Sequence, residues 1–237
     1  MSEPPAPPPD ETRASRWEDF IDLLYAPGSV FARRVEAPFG LPLLALTLVL
    51  TLLLHVNMTV LEPIYAAELE RSFEAAGQPA AAMDEMRRIG RIFGLLAFAL
   101  GFPLAMLVVG LILWGGTSLF GGVTGFRTAG LIATYSQLPV VFQQLAVIVQ
   151  GIVLDVESMW SMHQVSVSAA RFLPPDADRI ALALAARLDL FLLWSAALMA
   201  IGLVRASRLS TGQAVLLAGL IWGLASLPEI VGALLAR

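Results

Sequence analysis

The sequence predicts an all-α, polytopic membrane helix bundle with about five transmembrane helices and a short N-terminal amphipathic helix. Hydrophobic residues make up 57% of the 237-residue chain and charged residues only 14%, whereas soluble domains average about a quarter charged residues. Several apolar segments also approach the roughly 20 residues that cross a bilayer core. A soluble fold of this composition would expose large apolar patches, so lipid is the expected solvent.

The charge balance and the reactive residues exclude several classes of function. The net charge of −4 gives no sign of nucleic-acid binding. The chain has no cysteine and two histidines, and it carries no HExxH, GxSxG or ATP-binding pattern. We therefore expect no enzyme, no cofactor and no metal site. All basic residues are arginine, which together with the excess of Ala, Leu and Gly indicates a GC-rich, bacterial source.

Residues 1–36 are predicted to form a cytoplasmic Pro-rich tail followed by an amphipathic helix. Five prolines in the first ten residues favour extended chain, and Ser15 with Glu18 makes a helix-starting capping box. One helical stripe then follows, made of Trp17, Phe20, Ile21, Leu24 and Tyr25. This stripe allows two interpretations: a helix packed under the spans, or an interfacial helix lying on lipid.

Residues 37–237 are predicted to contain the five spans. They run over about 38–56, 92–114, 130–154, 187–204 and 213–235. The long segment between spans one and two is expected to lie on the membrane surface or to extend span one. Arg33 and Arg34 precede span one, and no basic residue follows it until Arg71. This asymmetry predicts a cytoplasmic N-terminus and an external C-terminus, in a bacterial inner membrane.

Three segments, in this order, resemble the Yip (Ypt-interacting protein) domain family, in particular its bacterial members. They are FIDLLYAPGSVFARRVEAP, FGGVTGFRTAGLIATYSQLPVV and LDLFLLWSAALMAIGLVRASRLSTGQA. The residues that match are Pro27, Phe31, Gly121, Gly122, Phe126, Arg127, Tyr135, Ser136, Pro139, Asp189, Phe191, Trp194 and Gly202. The resemblance implies a five-span helical protein. Eukaryotic relatives act in vesicle traffic and associate with small GTPases through cytosolic N-terminal regions, but this short tail shows no such recruitment motif.

Polar residues collect at the predicted outer ends of the spans. This candidate outer polar cluster consists of His55, Asn57, Gln150, Arg187, Asp189 and Glu229. Ionisable groups within a membrane are costly and are often functional. The cluster allows three interpretations: a clamp that sets helix register, a headgroup or proton site with His55 as its titrating member, or simple exposure to solvent.

Other features inside the spans point to helix packing. Pro103 and Pro139 are expected to kink spans two and three. Gln143 and Gln144, near the middle of span three, are expected to hydrogen-bond a neighbouring helix; the alternative is that they line a polar conduit. Gly219 and Gly223 form a GxxxG pattern, which permits close packing within one chain or at a dimer face.

These observations predict a non-enzymatic integral membrane protein of the Yip type. It is expected to act through lipid or protein interaction in membrane organisation or trafficking. The expected partners are membrane lipid, other membrane proteins or a second copy of the chain, with no nucleic acid. The alternative is a small permease, channel or lipid-transport subunit that uses the outer polar cluster and the two kinked spans.

Overall fold

The computed structural model describes residues 16–75, 77, 83–156, 159, 161–174 and 176–235. These residues form helices, turns and one isolated β-bridge between Ser168 and Asp189. Four helical segments are long and apolar enough to cross a membrane, and they cover Gly40–Val60, Glu85–Leu119, Phe126–Val153 and Leu190–Ser207; this confirms the predicted all-α membrane fold. The α-helices are α1 (Arg16–Tyr25), α2 (Pro27–Arg33), α3 (Gly40–Val60), α4 (Glu62–Ala75), α5 (Met83–Leu119), α6 (Phe126–Tyr135), α7 (Leu138–Val153), α8 (Arg179–Arg187), α9 (Leu190–Ser207), α10 (Thr211–Leu224) and α11 (Leu227–Leu235).

The first two spans are single helices of very different length. Helix α3 has 21 residues, close to what a bilayer core needs. Helix α5 has 37 residues, or about 55 Å at 1.5 Å per residue. The helix extends beyond the predicted span over 92–114 at both ends. The helix also continues through Pro103.

The third span consists of two helices and not of one kinked helix. Helix α6 ends at Tyr135, and α7 begins at Leu138, so the chain breaks at Ser136 and Gln137. Pro139 lies in the first turn of α7. A proline is well tolerated there because its missing N–H has no intrahelical acceptor. The predicted kink at Pro139 is therefore a helix start.

The fourth and fifth spans are also divided differently from the prediction. Asp189 caps α9 through the backbone N–H groups of Phe191 and Leu192, so this helix begins after the predicted start at Arg187. The preceding residues form the separate helix α8. The predicted fifth span is divided into α10 and α11, and α10 with 14 residues is shorter than the four long apolar helices.

Connecting segments meet at two opposite ends of the bundle. The near end holds α1, α2 and the loops before α6 and α10; there Val123 donates its N–H to the carbonyl of Ser207. The far end holds α4, the start of α5, the turns over 162–172 and α8; there Met162 donates its N–H to Glu68. The main apolar core lies toward the near end, and a smaller core around Leu61 lies at the far end.

Helices α5 and α6 are in close backbone contact. A Cβ built on Gly110 would lie 3.2 Å from the Cα of Gly130, so the two helices approach without intervening side chains. Small residues allow this approach in membranes, where close packing drives helix association. The crossing holds spans two and three together beside the near-end core.

Candidate functional site

A buried ionic cluster lies at the near end, beneath the break in the third span. The side chain of Asp19 is fully buried. Its Oδ1 accepts hydrogen bonds from Nε and Nη2 of Arg33, at 3.1 and 2.7 Å. Its Oδ2 accepts from Nε of Arg34 at 2.7 Å and from the hydroxyl of Tyr135 at 3.0 Å. Arg33 also donates to Asp22, and these five residues are called the Asp19 cluster.

The turn between α1 and α2 brings the two halves of the cluster together. Helix α1 closes where Ala26 donates its N–H to the carbonyl of Asp22. Pro27 then opens α2, because its fixed φ suits the first helical position. The chain folds back at this point, so Asp19 on the first helix meets arginines 14 and 15 residues later.

The charges of the Asp19 cluster balance each other. Burial is the largest influence and acts to lower the pKa of Arg33. Hydrogen bonds and charges from Asp19 and Asp22 together outweigh it and raise that pKa above its ordinary value. Arg33 therefore stays protonated at every physiological pH. Removing one partner of a buried pair leaves the other charge uncompensated, so the cluster is a clamp that depends on the fully buried carboxylate of Asp19.

Tyr135 connects the clamp to the break in the third span. It is the last residue of α6, and its ring lies 5.6 Å from that of Phe20 and 6.5 Å from that of Phe31, between centroids. The next residue, Ser136, is buried and donates its hydroxyl to the carbonyl of Ala133. The break is thus held both by the N-terminal helices and by its own backbone.

The three family-like segments meet at the near end, around the Asp19 cluster. Phe31 is fully buried, and a Cβ on Gly202 would lie 3.2 Å from its ring and 3.0 Å from Ile132. Gly202 therefore lets α9 approach both α2 and α6 closely. Trp194, earlier on α9, stacks on Phe142 of α7 with 5.9 Å between centroids. Residues of three separate segments build one packed near end.

The Gly-rich loop before α6 also belongs to the near end. Gly121 has a φ of 74°, a region that favours glycine. A Cβ on Gly122 would lie 2.8 Å from the carbonyl oxygen of Ser207, so this loop packs directly on the α9–α10 connection. Phe126 contacts Phe39 edge-on at 5.9 Å, whereas the side chain of Arg127 is exposed.

Helix α1 presents an apolar, aromatic face away from the bundle. Trp17, Ile21 and Tyr25 are 63%, 60% and 83% exposed, whereas Asp19 and Leu23 are fully buried. The predicted amphipathic stripe is divided, because Phe20 packs on Tyr135 whereas Trp17, Ile21 and Tyr25 face outward. An outward face of this composition is typical of a membrane–water interface.

The residues of the predicted outer polar cluster lie toward the far end, but they have different partners. Asn57 donates to Gln144 of α7, as expected for an amide within the membrane. Gln150 accepts from Arg171 at 2.7 Å. Arg187 donates to the carbonyl of Trp222 at 3.2 Å.

The other three members of that cluster are Asp189, His55 and Glu229. Asp189 is buried as the cap of α9, and the side chain of His55 is exposed. The side chain of Glu229 lies outside the described part of the structure. Within that part, no hydrogen bond joins two of the six residues, and a shared site among them stays a prediction.

The surroundings of the GxxxG glycines do not support the interpretation as close packing within one chain. A Cβ on Gly219 or Gly223 would meet no atom within 4 Å. The two glycines therefore mark no close helix approach among the described residues. Packing against a second copy stays a prediction.

The sequence reasoning did not single out Asp19 and Asp22, and it treated Arg33 and Arg34 only as markers of orientation. One signal was available. An acidic pair precedes an arginine pair by about 14 residues, with a Pro-Gly turn between them. A turn at that point can bring the pairs together, but nothing local indicates that Tyr135 completes the cluster.

The comparisons with known proteins identify one family. A family model described as the Yip1 domain matches residues 21–228, from within α1 to the first turn of α11. The matched region contains most of the Asp19 cluster and all the convergent near-end segments. Comparison with curated proteins and with solved structures gives no match.

Proposed function

The chain belongs to the Yip1 domain family, and from this premise we propose that it is a non-enzymatic membrane protein acting through lipid and protein contacts. Its role is in membrane organisation or trafficking. The observation that carries the proposal is the clamped α1 helix, whose aromatic face is exposed. A binding surface that is already ordered loses less conformational freedom when it binds.

The saturation of Asp19 supports a structural role for the buried charges. Each of its carboxylate oxygens already accepts two hydrogen bonds. A general base or a proton carrier needs a lone pair that can reach a substrate or water. The Asp19 cluster is therefore suited to positioning α1 and not to proton transfer.

Packing between the spans opposes the permease alternative. That alternative needs a polar passage among spans two, three and five. The backbones of Gly110 and Gly130 are in contact where spans two and three cross, and Leu113, Leu131 and Leu217 are buried in the same apolar core. This packing supports a bundle that is closed at its near end.

The near end is proposed to face the cytoplasm of a bacterial cell, with the C-terminus outside. The flanks of span one support this orientation, since Arg33 and Arg34 precede α3 and no basic residue follows it until Arg71. The chain has no cysteine, so Val123→Cys and Asp176→Cys each introduce a unique thiol at opposite ends. An impermeant thiol reagent should label position 176 in intact cells and position 123 only after permeabilisation. The reverse pattern would overturn the orientation.

The functional proposal is tested by photocrosslinking in native membranes. A photoreactive residue replaces Tyr25 on the outward face of α1, and a control replaces Phe172, which is equally exposed at the far end. We expect lipid and membrane-protein adducts at position 25 that are lost when Asp19→Asn releases the helix. Adducts unaffected by Asp19→Asn, or capture of a solute-binding protein or an ATPase, would contradict the proposal.

A further inference from the structure

A lateral crevice opens at the near end between α2, α9 and α10. Its volume is about 510 Å³, within the roughly 300–1,000 Å³ typical of small-molecule sites. Its walls are small or aliphatic side chains from α9 and α10: Ala197, Ala200, Ile201, Val204 and Val215. The crevice is therefore an apolar slot in the side of the bundle.

One end of the crevice is polar. Arg205 and Thr211 lie there, where α9 ends and α10 begins. Ala197 precedes Arg205 by eight residues, or about 12 Å along the helix. The slot thus extends from a cationic mouth at the near end into the apolar part of the fourth span.

The guanidinium of Arg205 is available to bind a ligand at this polar end of the crevice. A Cβ on Gly28 would lie 2.9 Å from Nε of Arg205, so the guanidinium crosses α2 where a side chain is missing. Within the described chain, the Arg205 side chain forms no ion pair or hydrogen bond with another residue. The nearby N-terminus of α10 adds to the attraction for an anion.

We propose that this crevice binds an anionic glycerophospholipid, with an acyl chain along α9 and the phosphate on Arg205. The inference rests on the proposed function and specifies one of its lipid contacts. An acyl chain matches the apolar walls, and a guanidinium pairs with phosphate through two parallel hydrogen bonds. Anionic lipid is abundant in the cytoplasmic leaflet, which the near end is proposed to face.

A second cavity, at the far end, is less suited to an anion. It measures about 320 Å³ and lies between α4 and α5. Its arginines are already engaged: Arg87 pairs with Glu62 at 2.9 Å, and Arg91 donates to the carbonyl of Met58 at 2.8 Å. A phosphate would have to displace these partners, whereas Arg205 has no such partner among the described residues.

The test is native mass spectrometry of the full-length protein titrated with phosphatidylglycerol. Arg205→Ala is expected to weaken binding roughly tenfold, as for a lost charge-assisted contact. Arg127→Ala removes a positive charge from an exposed side chain at the same end and should leave binding unchanged. Equal binding by the Arg205→Ala and Arg127→Ala variants would overturn the inference.

A second variant tests the acyl-chain part of the site. Ala197→Trp fills the apolar slot and keeps Arg205, and it should also weaken phosphatidylglycerol binding. Soluble glycerol phosphate should not compete with the lipid; effective competition would reduce the site to a phosphate site and refute lipid binding. The photoreactive residue at position 25 distinguishes the two proposals. If these tests fail while that residue still crosslinks to lipid in an Asp19-dependent way, only the crevice inference fails and the proposed function stands.

Discussion

Substitution of Asp19 by asparagine should release α1 from the bundle. The Asp19 carboxylate is fully buried and accepts four hydrogen bonds, from Arg33, Arg34 and Tyr135. Removing one partner of a buried ion pair costs about 3–5 kcal/mol. The two arginine side chains keep 23% and 16% exposure and can hydrate in part, so we expect a loss of about 3 kcal/mol.

Hydrogen exchange read by mass spectrometry measures this loss locally. For amides of α1, about 3 kcal/mol corresponds to roughly 100-fold faster exchange through local opening. Amides of α3 should keep their protection, because α3 does not contribute to the cluster. The measurement needs the full chain in lipid nanodiscs, where the outward face of α1 meets an interface.

Asp22→Asn is the matched control. Asp22 is 39% exposed and pairs only with Arg33 among the described residues, so its loss should cost less than about 1 kcal/mol. Exchange from α1 that is equally fast in the two variants, or unchanged in Asp19→Asn, would refute the clamp.

Three further predictions concern packing, an amide pair and a phenol. Gly202→Val should destabilise the protein by about 1–3 kcal/mol through overpacking against Ile132 and Phe31, while Gly219→Val, in open space, should not; thermal unfolding in detergent compares them. A double-mutant cycle on Asn57 and Gln144 should give a coupling near 0.6 kcal/mol; zero coupling would contradict the bond. Burial, and then the charge of Glu68, raise the pKa of Tyr65 above 10.0. The neutral phenol is favoured in the fold, so stability should fall as pH rises above 10, and a wild-type minus Tyr65→Phe phenolate titration should have its midpoint above 10.

The apolar segments predicted the spans because bilayer thickness sets their length. Helix α3 lies close to its predicted range for this reason. Mean hydropathy does not reveal a break such as Ser136–Gln137, because it is averaged over many residues. It also does not register the polar start of α5, where helix continues outside the membrane. Boundaries that depend on capping and tertiary contact were therefore the ones that differed.

The site was harder to predict because its contacts are distant in sequence. The amphipathic stripe of α1 suggested that apolar residues would face either the bundle or the lipid. In the structure Asp19 and Leu23 face the bundle, where charge pairing of Asp19 with Arg33 and Arg34 accompanies the apolar packing of Leu23. No local pattern connects residue 19 with residue 135. The sequence reasoning therefore looked for a site at the far end, while the buried ionic cluster lies at the near end.

The proposed function requires that α1 is clamped to the bundle with its aromatic face in the membrane interface. Spin-label accessibility tests it directly, since Ile21→Cys carries the only thiol in the chain. In nanodiscs we predict that a label at position 21 is relaxed more by oxygen, which concentrates in lipid, than by a water-soluble nickel complex. In the Asp19→Asn background this preference should weaken. A label at position 21 that is relaxed mainly by the nickel complex, whether or not Asp19 is present, would contradict this placement of α1.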